Sequence, residues 1–201
     1  MSKTKTETDA NLFGEHRELR IEPRFHPSNE VTLWNGNCAD LLNQIEDETV
    51  QLFVTSPPYN LGKEYERRVD LDRYLEQQQA VIEQCVRKLG NTGSICWQVG
   101  NYTRNGAIIP LDSLIYPIFA DLGLRMRNRI IWHFEHGLHC KRRFSGRYEV
   151  IAWFTKTDDY HFDLDPVRVP QKYPGKKHFK GPRAGEYSSN PKGKNPSDVW
   201  N

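Results

Sequence analysis

Segments of two different periodicities alternate along this chain, and that alternation limits the folds open to it. Val50–Thr55 is a β-rich run that Pro57 and Pro58 end abruptly, because proline cannot continue a strand ladder. Residues 70–89 follow with apolar positions near a 3.6-residue period, which predicts a helix that ends at Gly90. The same two patterns predict helices at 39–45 and 111–122 and strands at 31–34, 94–99, 124–134 and 148–154. Asn91-Thr92-Gly93 predicts a turn at 91–93. Such alternation favours an α/β fold with a mostly parallel sheet.

Composition predicts three segments. Residues 1–29 are rich in Thr, Glu and Arg and contain the helix breakers Pro23 and Pro27, so we expect a flexible N-terminal arm. Residues 30–165 carry the alternating pattern and form the predicted folded domain. Residues 166–201 hold six of the twelve prolines and no hydrophobic period, which predicts a loop-rich recognition or linker segment.

Charge is distributed unevenly between the two ends of the chain. Residues 1–123 have a net charge of −6 and residues 124–201 a net charge of +8, which together give the overall +2. A basic segment with interspersed aromatic residues can hold a nucleic acid through phosphate contacts and stacking, although a solvated loop face or a disordered basic linker has the same composition. The candidate phosphate-binding residues are Lys141, Arg142, Arg143, Arg147, Lys176, Lys177 and Lys180.

Hydropathy and cysteine usage argue against several classes of protein. The mean hydropathy is −0.76, and the sequence contains neither an apolar run of about 20 residues nor an apolar N-terminal signal. The four cysteines are widely spaced and form no Cys-x-x-Cys pair, which is typical of reduced thiols in a cytoplasmic protein. We predict no metal site, because His133, His136, His139 and Cys140 lack paired ligand spacing.

The strongest functional signal is Thr55-Ser56-Pro57-Pro58-Tyr59-Asn60, directly after a predicted strand. Ligands of α/β sheets bind at the carboxyl ends of strands, although a proline-rich turn covered by a tyrosine is the alternative. The prolines remove two N–H donors, so the Ser56 hydroxyl and the Pro57 carbonyl can each accept a hydrogen bond from one planar amino group. Pro58 would hold the loop, and the Tyr59 ring offers a stacking face for a heterocycle.

This motif resembles motif IV of the amino-directed DNA methyltransferases, the N-4 cytosine/N-6 adenine family, in its permuted (β) motif order. Residues 34–38, 93–101, 129–132, 139–149 and 195–200 resemble the family as well, so the resemblance covers about residues 30–201. It implies a Rossmann-like S-adenosylmethionine-dependent methyltransferase fold with S-adenosylmethionine as cofactor. It also implies a flipped-out cytosine or adenine in double-stranded DNA as the methyl acceptor, as in restriction–modification. Serine at the first motif position favours cytosine N4.

The sequence departs from the family pattern at two places. Asn37 stands where family members usually carry aspartate; it keeps an acceptor oxygen, so Asn37 and Ser56 are the candidate cofactor contacts. The family's glycine-rich cofactor loop would follow Trp200, and this sequence does not contain it. We therefore expect an incomplete fold with an unpaired strand edge beside Ser56, and a C-terminal fragment or second subunit that carries the loop.

Three functions remain open on the sequence. The first is a site-specific DNA methyltransferase that acts on cytosine N4 or adenine N6. The second is a catalytically inactive DNA-binding remnant, or one half of a split enzyme. The third is methylation of an RNA base or of a protein amide, which a similar turn can serve.

Overall fold

The computed structural model describes residues 20–64, 67–137 and 139–201. Two compact units divide the chain, one that ends at Ile45 and one over Glu46–Asn201. The first unit contains the parallel strands β1 (Ile21–Glu22) and β2 (Val31–Thr32) and the helix α1 (Cys38–Leu42). Most of the predicted N-terminal arm lies outside the described residues, and the predicted segment boundaries remain predictions.

Asn37 begins α1, since its side-chain Oδ1 accepts a hydrogen bond from the Ala39 N–H at 3.0 Å. The helix is shorter than the predicted 39–45. Beyond Leu42, the N–H groups of Gln44 and Ile45 bond to carbonyls three residues earlier, which tightens the last turn and ends the α-helix.

The second unit is built around a five-stranded sheet with the strand order β3-β4-β8-β7-β9. Four strands run in one direction, and β8 runs against them between β4 and β7. The α/β prediction is confirmed, with a sheet that is mostly parallel in strand direction. The elements are β3 (Val50–Thr55), α2 (Leu71–Lys88), β4 (Leu89–Val99), β5 (Asn101–Arg104), β6 (Ala107–Pro110), α3 (Leu111–Asp121), β7 (Arg125–His133), β8 (Tyr148–Thr155), a 3₁₀ turn (Asp165–Val167) and β9 (Val199–Trp200).

Alternation along β4 explains how the core forms. Ile95, Trp97 and Val99 are buried on one face of the sheet, which α3 covers, and α2 packs against α3. The Trp97 ring meets Phe119 edge-on at 5.7 Å, and Phe119 stacks on Phe154 at 4.1 Å. The opposite face of the sheet and the segment before β9 together line a cavity of about 380 Å³. No helix in the described part of the chain is long and apolar enough to cross a membrane.

The predicted turn at 91–93 is wrong, because β4 begins at Leu89, directly after α2. Gly93 permits a close approach of β3 here: a Cβ atom at Gly93 would lie 2.9 Å from the carbonyl oxygens of Val50 and Gln51. Glycine in this strand therefore marks backbone contact between neighbours and not a chain reversal. The antiparallel β5–β6 hairpin, which turns at Asn105-Gly106, was not predicted.

Asn60 anchors the segment that follows the two prolines. It is 2% exposed and has a φ of 60°, and its amide group exchanges two 2.8 Å hydrogen bonds with the backbone of Val69. We expect Asn60→Ala to lower the free energy of unfolding by about 2–4 kcal/mol, because buried backbone groups lose partners and alanine disfavours this φ. Urea unfolding measures the loss.

Asn105→Ala provides the matched control, since Asn105 has a φ of 51° in an exposed turn. We expect this variant to lose about 1–2 kcal/mol, the backbone penalty alone. Equal losses for the two variants would contradict the anchoring role of the Asn60 side chain.

Candidate active site

The proline-containing corner lies at the carboxyl end of β3, next to the ends of two other strands. Thr55 pairs with Trp97, which places the end of β3 beside the end of β4. Because β8 runs opposite to β4, its first residues lie at the same edge of the sheet, where Val99 pairs with Val150. Side chains that are 90 positions apart in sequence therefore meet at this edge.

Four polar side chains form one hydrogen-bond network at this edge. The Ser56 Oγ atom lies 2.9 Å from the Tyr59 hydroxyl oxygen. The Tyr59 hydroxyl donates to Glu149 Oε2 at 3.0 Å, and Gln98 Nε2 donates to the same oxygen at 2.5 Å. Gln98 is near the end of β4 and Glu149 near the start of β8. The network links the predicted motif to two strands that lie outside it, β4 and β8.

A pocket of about 450 Å³ opens beside this network. Ser56 and Pro58 are exposed, whereas Pro57 and Tyr59 are half-buried, so the motif faces space that a ligand can enter. The structure thus brings the four predicted catalytic residues together around one pocket. The lining residues are Ser56, Pro57, Pro58, Tyr59, Leu61, Lys63 and Glu149.

Gly100 supports the Tyr59 ring. A Cβ atom at Gly100 would lie 3.1 Å from two carbon atoms of the ring, closer than most side-chain contacts allow. The glycine at the end of β4 therefore lets the aromatic ring lie against the backbone. This contact and the hydrogen bond to Glu149 hold Tyr59 from two sides.

Burial raises the pKa of Tyr59 to about 12; the Ser56 hydrogen bond opposes this rise and the Glu149 carboxylate adds to it. The phenol therefore stays protonated at neutral pH. Tyr59→Phe removes one component of the tyrosinate absorbance. We expect that component to titrate near pH 12, well above the ordinary tyrosine pKa of 10.0. Ultraviolet titration of both proteins measures this difference. A component centred near pH 10 would place the hydroxyl in open solvent.

The β7–β8 connection contains one set of predicted phosphate-binding residues: Lys141, Arg142, Arg143 and Arg147. The first three are exposed, and Arg143 donates to Cys140 Sγ at 2.8 Å. Phe144, between them in sequence, is 99% exposed. Since this connection leads directly into Glu149, it lies at the same edge of the sheet as the pocket.

The other predicted contacts lie elsewhere. Lys176, Lys177 and Lys180 are exposed and line no part of the pocket; Lys177 lies 5.3 Å from the Tyr187 ring centre. Asn37 belongs to the first unit and caps α1, and its contact with a cofactor remains a prediction. Within the described ranges, no three His, Cys, Asp or Glu side chains are placed to hold a metal ion.

Gln98 and Glu149 are site residues that were not predicted from the sequence. Gln98 interrupts the apolar run Ile95–Val99 and Glu149 directly precedes the apolar run Val150–Phe154, each near the strand end at the edge of the sheet that borders the pocket. A polar residue in such a position is a usable signal. Its partner remained unknown because the reversed direction of β8 was not predicted.

An α/β sheet with one reversed strand and a Ser-Pro-Pro-Tyr corner at the carboxyl end of a strand is the arrangement expected from the resemblance to the Rossmann-like methyltransferases. The chain belongs to the N6_N4_Mtase family of DNA methylases, whose family model matches residues 50–201. It is 54% identical over 169 residues to the type II methyltransferase M.BglII of Bacillus subtilis, a match that covers 84% of this chain and 47% of M.BglII. The predicted family is confirmed.

Solved structures share the fold. The PvuII DNA methyltransferase, which is cytosine-N4-specific, matches with a TM-score of 0.58 at 22% identity over 66% of this chain and 51% of its own. A DNA modification methylase from Thermus thermophilus, TTHA0409, in complex with S-adenosyl-L-methionine, matches with a TM-score of 0.53 at 26% identity over 67% and 61%. The chain spans about half the length of the curated relatives it matches.

Proposed function

We propose that this chain acts in a site-specific DNA methyltransferase that moves a methyl group from S-adenosylmethionine to the N4 amino group of a cytosine in double-stranded DNA, as part of a restriction–modification system. One observation carries this proposal: the Ser56 hydroxyl, bound to Tyr59, faces an open pocket at the carboxyl end of β3. The similarity to the type II methyltransferase M.BglII supports it.

The motif prepares the amino group for methylation by holding its hydrogens. The Ser56 oxygen and the Pro57 carbonyl would each accept one hydrogen, which draws the nitrogen toward tetrahedral geometry and directs its lone pair at the methyl donor. The Tyr59 ring would stack on the base, and Pro58 would fix the loop. Because an amino group inside the duplex is not accessible to a methyl donor in line, the cytosine must leave the base stack.

The described residues provide only part of a binding site for S-adenosylmethionine. The cofactor supplies a methyl group activated by its positively charged sulfur, and Ser56 is the residue of this pocket that we assign to contact it. No glycine-rich turn that follows a strand and opens a helix occurs among the described residues. The chain's own share of the chemistry is therefore to bind and orient the acceptor base.

A C-terminal segment or second subunit would supply the remaining cofactor contacts. The outer edge of β3 pairs with no strand in the described ranges, and Leu52 and Val54 of this strand are 55% and 72% exposed. An open apolar strand is a place where another strand can add, because its backbone groups are unpaired. We propose that this segment or subunit pairs with β3 at its open edge and carries the glycine-rich loop of the family.

The basic β7–β8 connection would hold the DNA beside the pocket. Lys141, Arg142, Arg143 and Arg147 provide phosphate contacts at the same edge of the sheet as the pocket, and Lys176, Lys177 and Lys180 extend the basic surface. We also place this methyltransferase in the reducing cytoplasm, an environment that suits its four free cysteines.

Labelled methyl transfer tests the proposal in three reactions. Unmethylated plasmid DNA and tritiated S-adenosylmethionine are incubated with the chain alone, with the chain plus the half of M.BglII that it does not match, and with whole M.BglII as the positive control. We expect the second reaction to label DNA, and nucleoside mass spectrometry to show N4-methylcytosine. Label on adenine N6 would contradict the choice of base. No label in either reaction of this chain, with M.BglII active, would overturn the proposed function.

A catalytically inactive DNA-binding module is the second candidate, because the described residues lack the glycine-rich turn. It predicts duplex binding without labelled product in any reaction of this chain. Competition by RNA or by glutamine-containing peptides, added to a reaction that labels DNA, tests the third class of acceptor. DNA label that persists under that competition excludes it.

A further inference from the structure

We propose that Glu149 is a positioning residue that sets the direction of the hydrogen bonds in the site, so that Ser56 faces the acceptor base with lone pairs only. This inference rests on the proposed function and deepens it, because it assigns a role to a residue on β8, outside the motif. It concerns the network of Ser56, Tyr59, Gln98 and Glu149.

Counting hydrogens fixes the direction of this network. A phenol has one hydrogen to donate, and Tyr59 donates it to Glu149 Oε2 at 3.0 Å. Gln98 Nε2 donates to the same carboxylate oxygen at 2.5 Å, which holds the carboxylate in place. With the Tyr59 hydrogen committed, the 2.9 Å contact between Ser56 Oγ and the phenol oxygen requires Ser56 to donate.

This direction restricts the hydrogen bonds that Ser56 can form with a ligand in the pocket. A serine hydroxyl can ordinarily donate or accept, because its hydrogen rotates. Here that hydrogen points to Tyr59, so only lone pairs remain for a ligand in the pocket. Ser56 therefore behaves as the pure acceptor that an aspartate would be at this position. The amino group of a nucleobase is a donor and suits such a partner.

The same network offers a path for the proton that the amino group must lose. When the nitrogen lone pair has formed its bond to the methyl carbon, the electron pair of the broken carbon–sulfur bond stays on the sulfur of S-adenosylmethionine, and the nitrogen is left positively charged. The nitrogen then gives one proton to Ser56 Oγ, while Ser56 gives its own to Tyr59 and Tyr59 gives its own to Glu149. Ser56 and Tyr59 each end with one hydrogen, and the half-buried Glu149 releases the proton to water.

Kinetics of Glu149→Gln test the inference. The variant is measured in the form of this protein that labels DNA, either the chain alone or the chain with the added half of M.BglII. We expect kcat to fall by about 10²-fold with little change in the KM for DNA, because the carboxylate acts on the reacting nitrogen through Tyr59 and Ser56. Glu83→Gln is the matched control, an exposed carboxylate on α2 that accepts a hydrogen bond from Gln79 Nε2 at 2.8 Å, and it should leave kcat unchanged.

Chemical rescue separates a carboxylate requirement from a packing role. Formate added to Glu149→Ala should restore part of the lost turnover, whereas chloride at the same ionic strength should not. Unchanged kcat in Glu149→Gln, or no response of Glu149→Ala to formate, would overturn the inference while methyl transfer by the unaltered protein leaves the proposed function standing.

A second readout needs neither cofactor nor DNA. The Tyr59 titration, obtained as the absorbance difference from Tyr59→Phe, should move below its value of about 12 in Glu149→Gln, because the carboxylate contributes to that value. Glu149→Asp, which keeps the charge, should move it less. An unchanged Tyr59 titration in Glu149→Gln would overturn the inference even if the methyl transfer reactions give no product.

Discussion

Replacing Ser56 by alanine is expected to lower the rate of methyl transfer by about 10²–10³-fold while the affinity for duplex DNA stays within about twofold. The substitution removes one of the two proposed acceptors for the amino hydrogens and breaks the contact with Tyr59 at 2.9 Å. It leaves the backbone of the proline corner and the exposed basic residues in place. Single-turnover transfer at saturating S-adenosylmethionine measures the rate, and fluorescence anisotropy of a labelled duplex measures the affinity.

Ser113→Ala is the matched control for this experiment. Ser113 is an exposed serine on α3 whose hydroxyl donates to the Pro110 carbonyl at 2.7 Å. It therefore loses a comparable local hydrogen bond away from the pocket, and we expect both rate and affinity to stay unchanged. A Ser56→Ala protein that turns over at the normal rate would show that the motif does not act on the amino group.

The second large effect is expected in the DNA affinity when the β7–β8 connection loses its charge. Changing Lys141, Arg142 and Arg143 together to glutamine should weaken duplex binding and reduce the slope of log affinity against log salt by about 3, because each lost phosphate contact contributes about 0.9. Anisotropy titrations of a mixed-sequence duplex at several salt concentrations measure the slope.

The control is a variant with the same change in net charge. It has glutamine at three exposed arginines outside the connection, Arg20, Arg73 and Arg87. We expect the salt slope of this variant to equal that of the unaltered chain. If both triple variants lose the same slope, binding follows overall charge and the connection is not a specific interface.

The elements that local sequence determines were predicted well. Val50–Thr55 forms β3 with the predicted bounds, because apolar β-rich residues precede a pair of prolines that cannot continue the ladder. The long helix α2 lies within its predicted range for a similar reason, since its apolar residues keep one helical period up to the last turn. The proline corner also faces a pocket, as its place after a strand predicted.

Features that depend on distant parts of the chain were not predicted. Glycine at position 93 looks like a turn in one dimension, whereas in the sheet it makes room for the backbone of β3. Glu149 is 90 residues from Tyr59, and only the reversed direction of β8 brings the two together. Asn105-Gly106 is the exception, because this dipeptide between two apolar-containing segments is a known hairpin signal that sequence alone provides.

We propose that the proline corner holds the amino group of an extruded nucleobase between two acceptors. A crystal structure of the protein with its target duplex measures this most directly, through the distances from the exocyclic nitrogen to Ser56 Oγ and to the Pro57 carbonyl oxygen. We predict that both distances lie within hydrogen-bond range, about 2.7–3.2 Å, with the base against the Tyr59 ring. A target base that remains stacked in the duplex, or an extruded base whose amino group contacts neither oxygen, would contradict the claim.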